Sequence, residues 1–517
     1  MKMFKILKQL HSKQSKKICS YGGKSLSTDS AAITSPLQFI NGQREQALGN
    51  EDYQSLNPAT GEELCSFKCS GEDDVSKAIS NAKDAFHVWS AMSSMERSRL
   101  LYKAALLARE NLEALARIET IDNGKPLWEA KFDIEGCVDT MELYAGLATT
   151  LQGNHLSLAG GSFAYTRKEP LGVCGGIGAW NYPFQMASWK ASPALACGNT
   201  MVFKPSPLTP LTAVMLAEIY MEAGLPKGCF NVIQGGATTG QCLSNHPDVA
   251  KLTFTGSVQG GVKVMEAGAK GIKHVTLELG GKSPLIIFED AHLENAVKGA
   301  LNANFYSQGQ VCSNAARVYV HSSIYEPFVK RVVERTKAII VGDPMKEDTQ
   351  MGAIISKDQA MKIMRFIEGS IEQGATVLCG GEFVTPESHL SGGYFISPCV
   401  IVDTTDEMTI VKEEVFGPVM TVMKFETEDE VVARANNTDL GLAGGVFTKD
   451  LQRAHRVVSN LQAGSIYVNN YNVYPAGLPF GGYKKSGLGR ENGISTMNYF
   501  TQDKAVYFEM NDVESPY

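Results

Sequence analysis

KLTFTGSVQGGVKVMEAGAKGIKHVTLELGG, residues Lys251–Gly281, decides the fold class. Lys251–Thr255 alternates apolar and hydroxyl side chains as a strand does, the spacing over Val262–Ala269 predicts a helix, and His274–Leu279 returns to strand texture. One helix joining two strands carries the chain back over the sheet, so the second strand lies parallel to the first. The same rhythm extends towards the amino terminus. Gly172-Val-Cys-Gly-Gly-Ile-Gly-Ala, Thr200–Lys204 and Phe230–Ile233 read as short buried strands, with helices over Thr212–Ala223, closed by Gly224, and from Thr239 to Ser244. The expected fold class is α/β, with a doubly wound parallel sheet.

Before this sheet, Asp74–Leu147 reads as successive amphipathic helices broken at Asn123-Gly124. Leu100, Leu101, Ala104, Ala105, Leu107 and Ala108 carry the spacing. Gln38–Ser66 reads as extended pieces turning at Asn41-Gly42 and Pro58-Ala-Thr-Gly61, and a second α/β region runs from Ser283 to about Gly487.

A chain of 517 residues exceeds one ordinary domain, and 44% hydrophobic with 20% charged residues describes a globular protein with a large core. A net charge of −7 without a basic face argues against nucleic acid as a partner. Eleven irregularly spaced cysteines do not form a disulfide framework, and only Cys65 and Cys69 lie close together, so no metal site is expected. No run of apolar residues is long enough to cross a membrane. The first 28 residues hold seven lysines, many serines and no acid before Asp29, which fits an organelle presequence or an unstructured tail equally well. The expected compartment is therefore the cytoplasm or the mitochondrial matrix.

Four segments carry chemistry. Cys312 lies in Gln308-Gly-Gln-Val-Cys-Ser-Asn, a polar turn after the helical stretch Leu293–Tyr306. A lone cysteine is usually a small buried hydrophobe, but its companions form a set. Glu278, between two leucines at a strand end, sits where desolvation would raise a carboxyl towards general-base range. Asn181, in Gly178-Ala-Trp-Asn-Tyr-Pro, could donate its amide to an oxyanion together with the backbone N–H of Cys312. Phe254-Thr-Gly256-Ser257 places backbone N–H groups and a hydroxyl at a helix start, suited to a pyrophosphate, although it is not G-x-G-x-x-G. A thiolate that adds to an aldehyde, a donor for the oxyanion, a base for water and a dinucleotide groove together oxidise an aldehyde to an acid.

These segments resemble the aldehyde dehydrogenase superfamily from about Gln38 to the carboxyl terminus. Glu413-Glu-Val-Phe-Gly-Pro418 and Pro479-Phe-Gly-Gly-Tyr-Lys484, with Ser486-Gly-Leu-Gly-Arg-Glu491, complete the likeness. The resemblance implies Cys312 as nucleophile, Glu278 as base, Asn181 as oxyanion donor, and Lys190 with Glu491 as a route for the released proton. It implies Trp180, Lys204, Gly256, Ser257, Glu414 and Phe416 around NAD. Pro207 stands where many NAD-preferring members carry an acid, so NADP is an expected alternative. Within the family the likeness is to the branch acting on amino- and trimethylammonio-aldehydes. It rests on Gly178–Gln185, Lys204-Pro-Ser-Pro207, Asn469–Val473, Lys484-Lys-Ser486 and Asp512–Ser515.

Tyr182, Trp189, Tyr306, Tyr474 and Phe480 match tunnel-lining positions, and aromatic faces suit a quaternary ammonium. They also suit any medium-sized apolar aldehyde. The alternatives are a general aliphatic or betaine aldehyde dehydrogenase, a CoA-acylating semialdehyde dehydrogenase, against which Glu278 speaks, and a non-catalytic structural protein. The implied organisation is a basic extension over 1–34, a cofactor domain over 35–147 and 171–280, a catalytic domain over 281–487, and an assembly arm over 148–170 and 501–511 building a homotetramer.

Overall fold

A computed structural model describes residues 37–517; the extension expected over 1–34 lies outside the described residues. Two parallel-cored sheets and a small antiparallel one form the frame. The first begins with β1 (Gln38–Ile40) and β2 (Gln43–Glu45), whose hairpin turns on left-handed Asn41 and Gly42, φ 51° and 80°. Helices α1 (Glu72–Ala91), α2 (Ser94–Glu110), α3 (Leu112–Asn123) and α4 (Leu127–Leu147) follow. A reciprocal Ser93–Glu96 capping box starts α2, a device worth about 1 kcal/mol, and Gly124 ends α3 at φ 90°.

Strands β3 (His155–Ser157) and β4 (Phe163–Pro170) leave this body, and the chain then returns as β5 (Val173–Ile177). Next come α5 (Pro183–Ala196), β6 (Thr200–Lys204), α6 (Leu211–Ala223), β7 (Phe230–Val232), α7 (Ala237–Asn245), β8 (Val249–Thr255), α8 (Val258–Gly271) and β9 (His274–Glu278). Helix α8 starts four residues before the position expected from spacing, because the Ser257 side chain accepts from Gly260 N and caps it.

The second sheet comprises β10 (Pro284–Ile287), β11 (Arg317–His321), β12 (Thr376–Cys379), β13 (Cys399–Val402), β14 (Val419–Phe425), β15 (Ala443–Phe447) and β16 (Ser465–Val468), with α9 (Leu293–Phe305) after β10. Its order is β12-β13-β14-β11-β10-β15-β16, parallel except at the β12 edge. Its central strands β10, β11, β13, β14 and β15 are almost wholly buried, as a sheet covered on both faces requires, while the β12 edge is partly exposed.

The first sheet has the order β2-β1-β7-β6-β5-β8-β9, closed by β17 (Gly487–Leu488), which crosses back from the second region to pair with β9. From β7 to β9 every pair is parallel. Strand order reverses between β5 and β8, and the crevice beyond their carboxyl ends is where such sheets bind ligands. Strand β18 (Thr501–Phe508) pairs residue for residue with β4, and β3 completes a three-stranded arm. No helix among the described residues is long and apolar enough to cross a membrane.

Candidate active site

The crevice at the sheet reversal gathers most of the residues expected around a cofactor. Strand β5 ends at Ile177, and the loop carrying Trp180 and Asn181 leads into α5, whose first residue, Pro183, has its φ already set for a helix. The Trp180 ring stands edge-on to Phe416, centroids 5.2 Å apart. Phe416 holds a left-handed φ of 58°, a rare and costly conformation for an aromatic residue. Lys204, at the end of β6, donates from Nζ to the carbonyls of Pro205 and Gly235, 2.8 Å each, and burial pushes its pKa down to about 8. At the end of β8, Gly256 N donates to Glu278 O at 3.1 Å, tying this turn to the last residue of β9. Ser257 remains exposed at the start of α8.

Across the crevice, Glu414 accepts from Gly281 N at 3.0 Å, and burial raises its carboxyl to about 7. A cavity of about 790 Å³ opens here, lined by Ser257, Val258, Gly280, Lys362 and Glu414 among others. A helix start, a buried lysine at a strand end, an aromatic wall and a cavity of this size fit a dinucleotide.

Cys312 lies beyond α9 on a turn that only glycine permits at its closest contact. Ser307, Gln308 and Gly309 are all left-handed, φ 49°, 53° and 70°. A Cβ on Gly309 would come within 2.0 Å of the Gly417 carbonyl, and one on Gly281 within 2.4 Å of the Cys312 carbonyl. The glycine-bearing motifs are thus pressed against the cysteine turn from two sides. Gln308 Nε2 donates to the carbonyls of Gly124 (2.8 Å) and Ala353 (3.1 Å), and Asn314 Nδ2 to that of Gly309 (2.7 Å), bonds that offset the backbone strain.

The Cys312 residue is partly exposed, and the pKa of its thiol is pushed upwards, first by burial and then by the Glu414 and Glu278 carboxylates. Glu278 is 4% exposed, and neither of its carboxylate oxygens has a hydrogen-bond partner among the described residues. Its pKa is raised well above the ordinary carboxylate value by burial and then by Glu491, with Lys190 and Arg490 opposing. An unpartnered buried carboxyl beside a thiol is costly as structure and useful as a proton acceptor. Asn181 Nδ2 donates to the carbonyl of Gln310 at 3.0 Å, two residues before Cys312. That bond uses one amide hydrogen and leaves the other for a ligand.

Lys190, on α5, is fully buried, forms a short ion pair with Glu491 and donates to Thr255 Oγ1 at 2.7 Å. Phe480 and Glu491 exchange backbone hydrogen bonds of 2.7 and 2.8 Å, linking this pair to the segment that carries Phe480.

The five expected tunnel aromatics divide into two groups. Trp189, Phe480 and Tyr474 cluster with Leu442 and Cys312; Phe480 stands edge-on to Trp189 (6.1 Å) and to Tyr474 (5.3 Å). Tyr182 and Tyr306 pack in the other core. One face of Tyr182 already holds the Lys125 ammonium 3.8 Å from its centroid, and Tyr306 donates its hydroxyl to Asp133 Oδ1 at 3.1 Å.

Sequence reasoning missed three features. Leu442 packs beside Cys312; nothing in its neighbourhood marks it. Ser313, Asn472 and Tyr474 form a clasp, in which Tyr474 OH donates to Asn472 Oδ1 at 2.9 Å and contacts Ser313 Oγ. The buried acids Glu119, Glu129 and Asp133 surround Lys125, whose Nζ donates to Asp133 Oδ2 at 2.7 Å. The polar run Glu119–Asp133 within otherwise apolar helices was the available signal for that cluster.

The aldehyde dehydrogenase family pattern matches residues 45–506, and the chain belongs to this family. It is 56% identical over 494 residues to 4-trimethylaminobutyraldehyde dehydrogenase of Homo sapiens, covering 95% of this chain and 100% of that protein. It is 58% identical to 4-trimethylaminobutyraldehyde dehydrogenase A of Danio rerio, covering 95% and 97%. Among solved structures, the NAD+ complex of an aldehyde dehydrogenase from Bacillus cereus superimposes with a TM-score of 0.89 at 42% identity, covering 92% of this chain and 96% of that one. Betaine aldehyde dehydrogenase from Staphylococcus aureus in complex with NAD+ gives 0.91 at 37%, covering 95% and 99%.

Proposed function

We propose that this chain is an NAD-dependent aldehyde dehydrogenase whose preferred substrate is 4-trimethylaminobutyraldehyde, with related aminoaldehydes also oxidised. The observation that carries the chemistry is the unpartnered Glu278 carboxyl buried in the same crevice as the Cys312 thiol. Cys312 loses its proton to Glu278 and its sulfur bonds to the aldehyde carbon. The resulting oxyanion is held by the free amide hydrogen of Asn181 and the backbone N–H of Cys312. Nicotinamide adenine dinucleotide, when bound, supplies the acceptor for the hydride whose loss turns the thiohemiacetal into a thioester. Glu278, once it has shed the thiol proton, takes a proton from water as its oxygen attacks the thioester carbon; the C–S bond breaks, the product leaves as a carboxylate, and the second proton of the water restores the Cys312 thiol. Each turnover therefore releases one proton from the thiol and one from water.

Ser257, Gly256 and the start of α8 would hold the pyrophosphate, Lys204 the adenosine ribose, Glu414 and Phe416 the nicotinamide side, and Trp180 the groove wall. With Pro207 in place of an acid, NADP is accepted at lower efficiency.

Trp189, Phe480 and Tyr474 offer aromatic surface to the trimethylammonium group, while Tyr182 and Tyr306 wall the tunnel nearer Lys125 and Asp133. Identity to the trimethylaminobutyraldehyde enzymes over nearly the whole chain supports the same substrate. The arm β18-β4-β3 exposes Leu156, Tyr507 and Phe508, apolar surface suited to a homotetramer. The test is NADH formation by the purified chain with trimethylaminobutyraldehyde, aminobutyraldehyde, betaine aldehyde and hexanal, with each cofactor and with or without CoA. The proposal expects the highest kcat/KM for the first aldehyde with NAD and no CoA requirement. Equal efficiency for hexanal, or acyl-CoA as product, would overturn it.

A further inference from the structure

Strands β8 and β9 pair in parallel with Thr255 beside Glu278, Thr253 beside Thr276 and Lys251 beside His274. Alternate residues of a strand share a face, so these six side chains form three polar rungs on one side of the sheet, roughly 7 Å apart. The upper rungs are tied to the site already described. Lys190 donates to Thr255 and pairs with Glu491, and Thr253 Oγ1 donates to Glu491 Oε1 at 3.5 Å. The lowest rung reaches solvent at His274.

Lys251 is the anomaly in this row. It is 1% exposed, yet its ammonium makes one hydrogen bond among the described residues, to Thr276 Oγ1 at 3.3 Å, and lies 4.8 Å from the Phe500 ring centroid. A buried ammonium with two of three donors unused is expensive unless it can give up its proton. The titratable groups around it are Cys174 from β5, His274 from β9, and Glu491 and Lys190 above; Tyr144 of α4 faces Glu491. Burial lowers Lys251 to about 8, against the pull of Cys174 and Glu491, so it exchanges protons near neutrality.

We propose that the facing rows of β8 and β9 form a buried proton conduit, in which Lys251 receives the protons released at Glu278 and passes them to solvent beside His274. The inference rests on Glu278 being the base. Water carries each proton from the Glu278 carboxyl to Glu491; Thr253, hydrogen-bonded to Glu491, hands it to its strand partner Thr276, which is hydrogen-bonded to Lys251, each hydroxyl giving one proton as it accepts another. Lys251 takes it up and releases it outward, so no group gains or loses a proton over a cycle. Lys251 touches neither substrate nor cofactor and acts through its neighbours.

The experiment is stopped-flow proton release, followed with a pH indicator alongside NADH formation, in wild type, Lys251→Met, Lys251→Arg and Thr276→Val. Arginine keeps the charge and most of the volume but does not deprotonate. The conduit predicts proton release slowed at least about tenfold in all three variants, an altered pH profile of kcat, and recovery with added imidazole. Alkylation of Cys312 by iodoacetamide should keep its rate. Full activity in Lys251→Arg would assign Lys251 a charge or packing role and overturn the conduit. Wild-type proton release in Thr276→Val would do so independently, should the lysine variants not fold. Glu278→Gln separates the two ideas: if it blocks hydrolysis while the Lys251 and Thr276 variants run normally, only the conduit fails. Normal hydrolysis by Glu278→Gln overturns the reading of the base itself.

Discussion

Replacing Trp189 with alanine should affect a cationic aldehyde more than a neutral one of the same shape. The indole is 6% exposed, sits edge-on to Phe480 and packs in the cluster that includes Cys312 and Tyr474. A quaternary ammonium desolvated against an aromatic face gains about 2 kcal/mol, and each 1.36 kcal/mol is tenfold, so losing one face costs roughly 30-fold in kcat/KM. The loss of apolar wall is a separate effect that falls on any ligand of equal size. The comparison is therefore trimethylaminobutyraldehyde against 5,5-dimethylhexanal, in which carbon replaces the charged nitrogen. Truncating a buried Trp costs about 3–5 kcal/mol of stability, so Trp189→Leu, which fills more of the space, serves as a companion variant. In steady-state assays both variants should lower kcat/KM for the cation roughly 30-fold beyond their effect on the hydrocarbon. Equal losses for the two aldehydes would refute charge recognition by this cluster and leave Trp189 as a wall.

Asn181→Ala should lower kcat by about 10²–10³, the usual cost of one oxyanion donor, with little change in the Kd of NAD measured by fluorescence quenching. Glu278 holds its proton well above the ordinary carboxylate range, so it is a base only when pH exceeds that raised value. The rate of thioester hydrolysis should therefore still be climbing with pH above the ordinary carboxylate range in wild type, and Glu278→Gln should lose the climb along with about 10²–10⁴ of rate. Burial raises Glu129 to about 8, above its unfolded value near 4.5. The folded state then binds the extra proton, so its contribution to stability is full below about pH 4.5 and is lost as pH rises towards 8. Melting scans across that range should show wild type falling faster than Glu129→Gln; parallel curves would count against this buried acid as the source.

Much of the frame was legible because it follows from local rules. The strands over 173–177 and 200–204 are short, largely apolar runs, those over 249–255 and 274–278 alternate apolar and polar residues, and the helix over 211–223 stops at Gly224 in the left-handed conformation that glycine favours. The start of α8 was misplaced because spacing alone does not register a side-chain cap, and Ser257 supplies one. Cys312, Glu278 and Asn181 each read alone as ordinary residues in the sequence, and only their combination and the family resemblance singled them out. The Ser313–Asn472–Tyr474 clasp was not legible, since Ser313 lies more than 150 positions from the other two and each alone looks like ordinary turn chemistry. Nor was the division of the five aromatics expected to line a tunnel. Whether a tyrosine faces a ligand or an internal Lys125 depends on packing between distant helices, which no local pattern encodes.

The most direct measurement is intact-protein and peptide mass spectrometry of Glu278→Gln after mixing with trimethylaminobutyraldehyde and NAD. Glu278→Gln slows the deprotonation of Cys312, which solvent hydroxide still performs, and blocks hydrolysis, so over a long incubation the protein should gain the mass of one acyl group, located on the peptide bearing Cys312 and absent when Cys312 is also changed to Ala. An unmodified Cys312 peptide under these conditions, with NADH still produced by Cys312→Ala, would contradict the covalent route.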